Sequence, residues 1–385
     1  MTESSQPSYD PVDIDYFRDL SRDIFEPLLD TYFRPRLVGA DRLPEDGPAI
    51  LAANHSGTAF PWDAMVFDYL MFRRNRLRAD NLVRPVFEKE LAMAWWMRPF
   101  GIDDFWRKGG GVDMTFDNFD RLLGHRRSVL YFPEGVPGIG KGFQRRYQLQ
   151  RFSSSFVLLA AKHQAPVYPI YMVNAEWVIP FNFTWRPLDR LVQLVRVPFM
   201  PIPAGPLAII FPWMWYLALP ARMVFVVGEG FDVRRIAREC GFDPEDLDRD
   251  RARRVAEEIR VRMQRLLDTK VDKYGKAPYH WRSLRETLRT RGGKALMPWR
   301  WPWLFVRHYR DRQRPAARNW LHRWLRDWDL LAYFLPLGWP ILSLARALRK
   351  PPCGYRGLTA EQRKQQEGAF LWKLAERPLP KRKEP

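Results

Sequence analysis

Cysteine is scarce in this chain of 385 residues, which holds two, Cys240 and Cys353. Two thiols cannot build a disulfide framework, and no CxxC or Cys/His cluster has the spacing of a zinc site. A secreted cysteine-rich scaffold is excluded, and no metal is expected. The opening residues MTESSQPSYDPV lack an apolar core behind a positive flank, so no secretory signal is read there. A clean membrane span is missing too. Residues 197–221 are 25 uncharged residues, long enough to cross a bilayer, but six of them are proline. Each proline frees a carbonyl and breaks a turn, which hydrocarbon does not tolerate, so a hydrophobic surface pad or re-entrant piece is expected instead. Acidic residues are also short, at 44 against 63 Lys+Arg, giving a formal charge of +19 and a pI near 10.1. With 46% hydrophobic residues and a mean hydropathy of −0.41, the composition fits neither a disordered tail nor a polytopic membrane protein.

What is abundant is unevenly placed. Residues 276–385 hold 25 Lys+Arg against 8 Asp+Glu and nine of the 17 tryptophans, whereas residues 1–275 carry a net charge of only +2. Three units are therefore expected: an N-terminal amphipathic helix (1–34), a near-neutral catalytic-size body (35–275) and a basic, Trp-rich helical extension (276–385).

Residues 13–33 space apolar side chains (Ile14, Phe17, Leu20, Ile24, Leu28, Leu29, Phe33) at helical intervals. In the body, the runs 49–53, 128–132, 165–173 and 223–227 read as buried strands. They alternate with a helix opened by Pro61 and Asp63 and with helical stretches at 151–162 and 243–274. Strands alternating with helices predict an α/β fold, a sheet flanked by helices with its site in the loops at strand C-termini.

Two loops carry candidate chemistry. Asn54-His55 leaves the first strand, and Asp63 sits in the first turn of the next helix. A carboxylate there can fix the imidazole tautomer and stabilise its protonated form, so that His55 takes a proton from an alcohol. Glu134-Gly135 leaves the second strand in the run Phe132-Pro133-Glu134-Gly135, with Lys141, Arg145 and Arg146 close behind. A carboxylate, a flexible glycine and three cations suit a polar or anionic substrate.

In this order, about 80 residues apart, the two loops resemble the phospholipid/glycerol (lysophospholipid) acyltransferase family. The resemblance also includes Gly101 to Arg107 as a GxxxxR-type segment, here with five intervening residues, and Pro166-Val167-Tyr168-Pro169-Ile170 as the following strand. It covers about residues 35–270 and implies a glycerol-phosphate-acyltransferase-like sheet. It further implies acyl transfer from acyl-CoA or acyl-carrier protein, as co-substrate and with no cofactor, to the hydroxyl of a lysophospholipid or glycerolipid. His55 takes the part of general base and Asp63 that of its orienting acid; Arg107, Glu134 and Gly135 match the acceptor-binding elements. Two departures stand out. Seven residues, not four, separate His55 from Asp63, and Val136-Pro137-Gly138 replaces the usual Thr-Arg-Ser, whose Arg meets acceptor phosphate. Lys141, Arg145 or Arg146 would have to substitute. Neutral acceptors (mono- or diacylglycerol, long-chain alcohols) and a catalytically silent lipid-binding protein of the same fold are the alternatives.

In the extension, Trp320, Trp324 and Trp328 recur every four residues with Arg318, Arg323 and Arg326 between them. Tryptophan favours the headgroup level and arginine favours anionic lipid. Residues 330–345 then carry no charge and read as a short hairpin dipping into one leaflet. That run has no use beside phosphate, so the expected partner is an anionic membrane surface at the cytoplasmic face, held peripherally or monotopically, and not nucleic acid. The sequence does not indicate an oligomeric state.

Overall fold

The computed structural model describes residues 13–45, 47–58, 60–77, 82–88, 97–101, 105–194, 197–291, 296–311 and 319–348, with Arg98 and Arg107 described by backbone alone. Cys353 and the last basic residues of the chain lie outside these. Seven short strands form one sheet: β1 (Arg36–Val38), β2 (Ile50–Ala53), β3 (Arg84–Phe87), β4 (Val112–Asp113), β5 (Val129–Tyr131), β6 (Val167–Val173) and, after two others, β9 (Val224–Val227). Their order is β1-β9-β6-β2-β5-β3-β4, and β7 (Asn182–Phe183) with β8 (Ile202–Pro203) makes a separate antiparallel pair. Every neighbour in the large sheet is parallel except β6 and β9.

Parallel strands bury both faces, and alternation along each strand feeds two cores. Ile50, Ala52, Val129, Tyr131, Val167, Tyr171 and Val173 point to one face, under the helices Phe116–Gly124, Ser155–His163, Val233–Glu239 and Arg249–Tyr274. Leu51, Ala53, Leu130, Ile170 and Met172 point to the other, under the helix Trp62–Arg74 and the N-terminal helical run Ile14–Leu20 to Leu29–Phe33. That run does not lie on the surface: Phe17, Leu20, Phe25, Leu28 and Phe33 are all inside. Each such side chain contributes about 1.5–3 kcal/mol of burial.

The extension shares this second core. Trp301 packs edge-on to Trp62 at 4.8 Å, and Phe305 meets Phe25 and Trp62 at 6.0 Å each. The run 330–345, expected as a hairpin dipping into one leaflet, is divided between protein and solvent. It forms a 3-10 turn Trp328–Phe334 and a helix Gly338–Ala347, with Leu330, Ala332, Tyr333 and Leu342 buried. The pad at 197–221 likewise folds back as β8, the helix Ala204–Ile210 and a 3-10 turn Pro212–Tyr216. Among the described residues, no helix is long and apolar enough to cross a membrane.

Topology now places the site. β2, fourth of the seven strands, runs parallel to both neighbours, β5 and β6. The residues leaving all three C-terminal ends therefore meet at one edge, where α/β sheets collect their functional loops.

Candidate active site

β2 ends in a side chain that imitates a strand. Asn54 Oδ1 accepts from the Met172 N–H at 2.8 Å, and its Nδ2 donates to the Met172 carbonyl at 3.2 Å. This carries the β2–β6 ladder one step beyond the backbone and frees the chain to turn, so that His55 leaves the sheet. The His55 ring lies flat on Phe132, centroids 4.0 Å apart and planes 13° apart. Stacking fixes the ring's plane.

His55 Nδ1 stands 3.6 Å from Asp63 Oδ2, in ion-pair range and just beyond hydrogen-bond length. Asp63 is itself held in place: Oδ2 accepts from the Ser56 N–H at 2.9 Å and Oδ1 from the Ala64 N–H at 2.8 Å. Burial opposes its ionisation, but the His55 ring and these two amides outweigh burial and hold the carboxyl below its usual pKa. Its place in the first turn of a 13-residue helix works in the same direction. The loop between them closes on itself, with Thr58 Oγ1 donating to the Phe60 carbonyl at 2.7 Å and contacting Ser56 Oγ at 3.0 Å. Phe60, where a four-residue spacing would put the acid, is buried among aromatics against Trp62 and Tyr216. Nδ1 is buried, while the His55 side chain as a whole keeps 11% of its exposure.

Glu134 stands behind His55. Its Oε1 accepts from the His55 N–H at 2.9 Å and its Oε2 from the Gln150 N–H at 2.7 Å, while Lys141 Nζ lies 3.8 Å from Oε2. Both carboxylate oxygens are thus occupied by the protein, and the side chains of Glu134 and Lys141 are each 0% exposed. Gly135 takes φ +56°, with open space where a Cβ would stand. Gly138 has no such room: a Cβ there would sit 2.5 Å from Glu134 Cβ and 3.1 Å from His55 Cβ. Glycine at 138 is what lets the short helix Gly135–Ile139 cross directly over the histidine.

The remaining candidates divide. Lys141 runs beneath Gly57 (φ +74°), whose added Cβ would meet Lys141 Cγ at 2.7 Å. Arg145 reaches Thr184 Oγ1 at 3.4 Å, and Arg146 lies over the Phe143 ring at 4.8 Å. Arg107 belongs to the short helix Phe105–Lys108, and its side chain lies outside the described residues, as do 102–104 of the same motif.

Three buried groups at this edge carry no expectation of substrate contact from the sequence. Asn182 Nδ2 donates to the Gly57 carbonyl at 2.6 Å. Glu176, leaving β6, has Oε1 on the Tyr147 N–H and Oε2 without a hydrogen bond. Burial pushes the Glu176 carboxyl up to about 8, against the opposing pull of Lys141. Phe132 is the third; its place in the Phe-Pro-Glu-Gly run was visible, but not its stacking.

A histidine beside a buried carboxylate, at the C-terminal edge of parallel strands, is chemically able to accept a proton from a hydroxyl group. Residues 34–173, which contain both loops, match the family described as Acyltransferase. This segment is an acyltransferase-family domain. Uncharacterized proteins of Mycobacterium tuberculosis and Mycobacterium bovis are 30% identical over 204 residues, 51% of this chain and 54% of theirs. One of Mycobacterium leprae is 28% identical over 198 residues, 49% of this chain and 50% of its own. The chain thus spans about half the length of the curated relatives it matches. Among solved structures, the 1-acyl-sn-glycerophosphate (LPA) acyltransferase PlsC of Thermotoga maritima overlaps 69% of this chain and 96% of its own. Identity is 14% and the TM-score 0.34.

Proposed function

We propose that the chain transfers an acyl group from a thioester, acyl-CoA or acyl-carrier protein, to the hydroxyl of a lysophospholipid or glycerolipid at a membrane surface. His55 Nε2 takes the hydroxyl proton as the oxygen attacks the thioester carbonyl. The C–S bond then breaks, and the thiolate leaves with the proton that His55 returns. No acyl-enzyme is needed, and general base catalysis of this kind is worth about 10²–10⁴ in rate. Asp63 keeps Nδ1 engaged and stabilises the imidazolium that forms in between.

The observation that carries this reading is the contact of His55 Nδ1 with an Asp63 carboxylate held ionised although buried. As to the acceptor, a neutral alcohol (mono- or diacylglycerol, or a long-chain alcohol) has one observation in its favour. Lys141, a candidate for the acceptor's phosphate, is turned into the protein against Glu134. In the reading preferred here, Glu134 and Lys141 hold the His55 backbone, and Arg145, Arg146 and Gly135 remain the candidates for the substrate side. The protein would work at the cytoplasmic face of a membrane, attached without crossing it.

The test is purified protein with labelled acyl-CoA or acyl-carrier protein and a panel of lysophospholipids, mono- and diacylglycerols and long-chain alcohols, resolved by product. Transfer to one class names the acceptor. No transfer to any of them, with either donor, would leave the catalytically silent lipid-binding reading in its place.

A further inference from the structure

Large apolar side chains remain in water on one set of connected elements. Trp320, Trp324 and Trp328, on the helix Trp320–Asp327 and the turn after it, are more than half exposed, Trp320 reaching 78%. Leu337 and Leu344 continue the exposure along the helix Gly338–Ala347. The Leu337 N–H donates to the Ile210 carbonyl at 2.7 Å, which joins the exposed end of the helix Ala204–Ile210 to the same platform. The two uncharged runs that the sequence offers separately, 197–221 and 330–345, therefore come together.

The platform also shows no acid to solvent among its described residues. Between 319 and 348 the only acidic residues are Asp327 and Asp329, and 197–221 contains none. Both aspartates are buried. Arg310 grips Asp329 at 2.7 and 2.9 Å, and Arg326 reaches Asp327 at 2.7 Å with Arg307 at 3.6 Å. Arg323 is exposed, and in sequence Arg349-Lys350 follow the platform directly. An outer face of tryptophan, leucine and cations, with every acid turned inward and paired, is complementary to the headgroup and upper acyl layers of an anionic leaflet.

We propose that this combined face, Ala204–Ile210 with Trp320–Ala347, is the surface by which the protein lies on a bilayer containing anionic lipid. The inference deepens the lipid-acceptor reading above and rests on it for its purpose. Beneath the platform, Tyr216 touches both Tyr333 (6.0 Å) and Phe60 (5.8 Å), and Phe60 belongs to the loop between His55 and Asp63. A chain of buried rings, Tyr333, Tyr216 and Phe60, thus links the docking element to the loop that carries His55.

The experiment is co-sedimentation of the full chain with vesicles of phosphatidylcholine alone or mixed with phosphatidylglycerol. It is repeated with Trp324→Glu/Leu344→Glu, two exposed positions whose change is expected to leave the melting curve unaltered, which a thermal melt checks first. Wild type is expected in the pellet with the mixed vesicles, with a blue-shifted tryptophan emission, and the double variant should partition about tenfold less or worse. Wild type left in the supernatant with both compositions, or a double variant that binds as well as wild type, overturns the proposal. So does a stable homodimer in solution that the double variant abolishes, because a second copy would then cover the face. His55→Ala should bind vesicles normally, and the double variant should still acylate a detergent-dispersed acceptor. If wild type binds vesicles but acylates nothing, the catalytic reading fails and the docking face stands.

Discussion

Glu134→Gln separates two roles that a carboxylate in this loop could have. If Glu134 binds the acceptor, its loss weakens transfer and leaves the fold alone. The geometry argues otherwise: one oxygen holds the His55 N–H at 2.9 Å, the other the Gln150 N–H at 2.7 Å, with Lys141 at 3.8 Å. Glutamine keeps one acceptor and sets an NH2 against the second amide, an unsatisfied buried donor costing about 1–3 kcal/mol. It also leaves the Lys141 ammonium without its contact partner, and breaking a buried pair from one side costs about 3–5 kcal/mol. These terms overlap, and Glu176 can ionise beside the released lysine, so the expected loss is near the lower end, about 3 kcal/mol. With about 2.1 cal/mol/K of unfolding entropy per residue, a chain of 385 residues shifts by roughly 1 °C per kcal/mol, so the melting temperature should fall by about 3–4 °C. Lys141→Met added to Glu134→Gln should recover part of it, a coupling that a double-mutant cycle reads directly. Urea unfolding followed by tryptophan fluorescence is the assay. An unchanged unfolding midpoint together with a large loss of transfer would refute the reasoning and return Glu134 to the acceptor.

Three more outcomes are expected. Gly138→Ala drives a methyl into Glu134 and His55, so about 1–3 kcal/mol of stability and most of the transfer rate should be lost together; a variant of normal rate would show that the helix over His55 moves freely. Gly57→Ala meets both a left-handed φ and the Lys141 stem, and should destabilise by at least about 1 kcal/mol, checked by thermal melting. Glu176 titrates at about 8 in the folded chain and near its ordinary 4.5 when unfolded, so between those values the folded state holds the extra proton and stability falls as pH rises. Asp68, also pushed up to about 8 by burial, adds to the same trend. Glu176→Gln should flatten the dependence of the urea midpoint on pH across that window; an unchanged slope would assign it wholly to other groups.

The sequence makes the centre of the sheet legible and its margins obscure. β2, β5 and β6 are apolar runs ended by turn residues, and each appears within a residue or two of its expected place. β4, β7 and β8 are two residues long, and β3 contains an arginine and a proline, so no periodicity can announce them. His55 and Asp63 are legible as a pair because both follow from local chemistry, a strand end and a helix start. Lys141 is different. Its position after a glycine loop reads as a cation offered to substrate, whereas the structure packs it inside, beneath Gly57, 84 positions away, and against Glu134. The extension shows the same split. Its tryptophan spacing points to the exposed face, but the burial of Leu330, Tyr333 and Leu342 depends on a core supplied by the body.

The central claim is that His55, seated on Asp63, is the base of an acyl transfer to a lipid hydroxyl. Its most direct test is turnover of labelled acyl-CoA or acyl-carrier protein, with the acceptor that wild type uses, by wild type, His55→Ala and Asp63→Asn, each matched by a melting curve. The expected result is a loss of about 10²–10⁴ in rate for His55→Ala in a folded protein, with Asp63→Asn slowed as well. A folded His55→Ala that turns over at the wild-type rate would contradict the account.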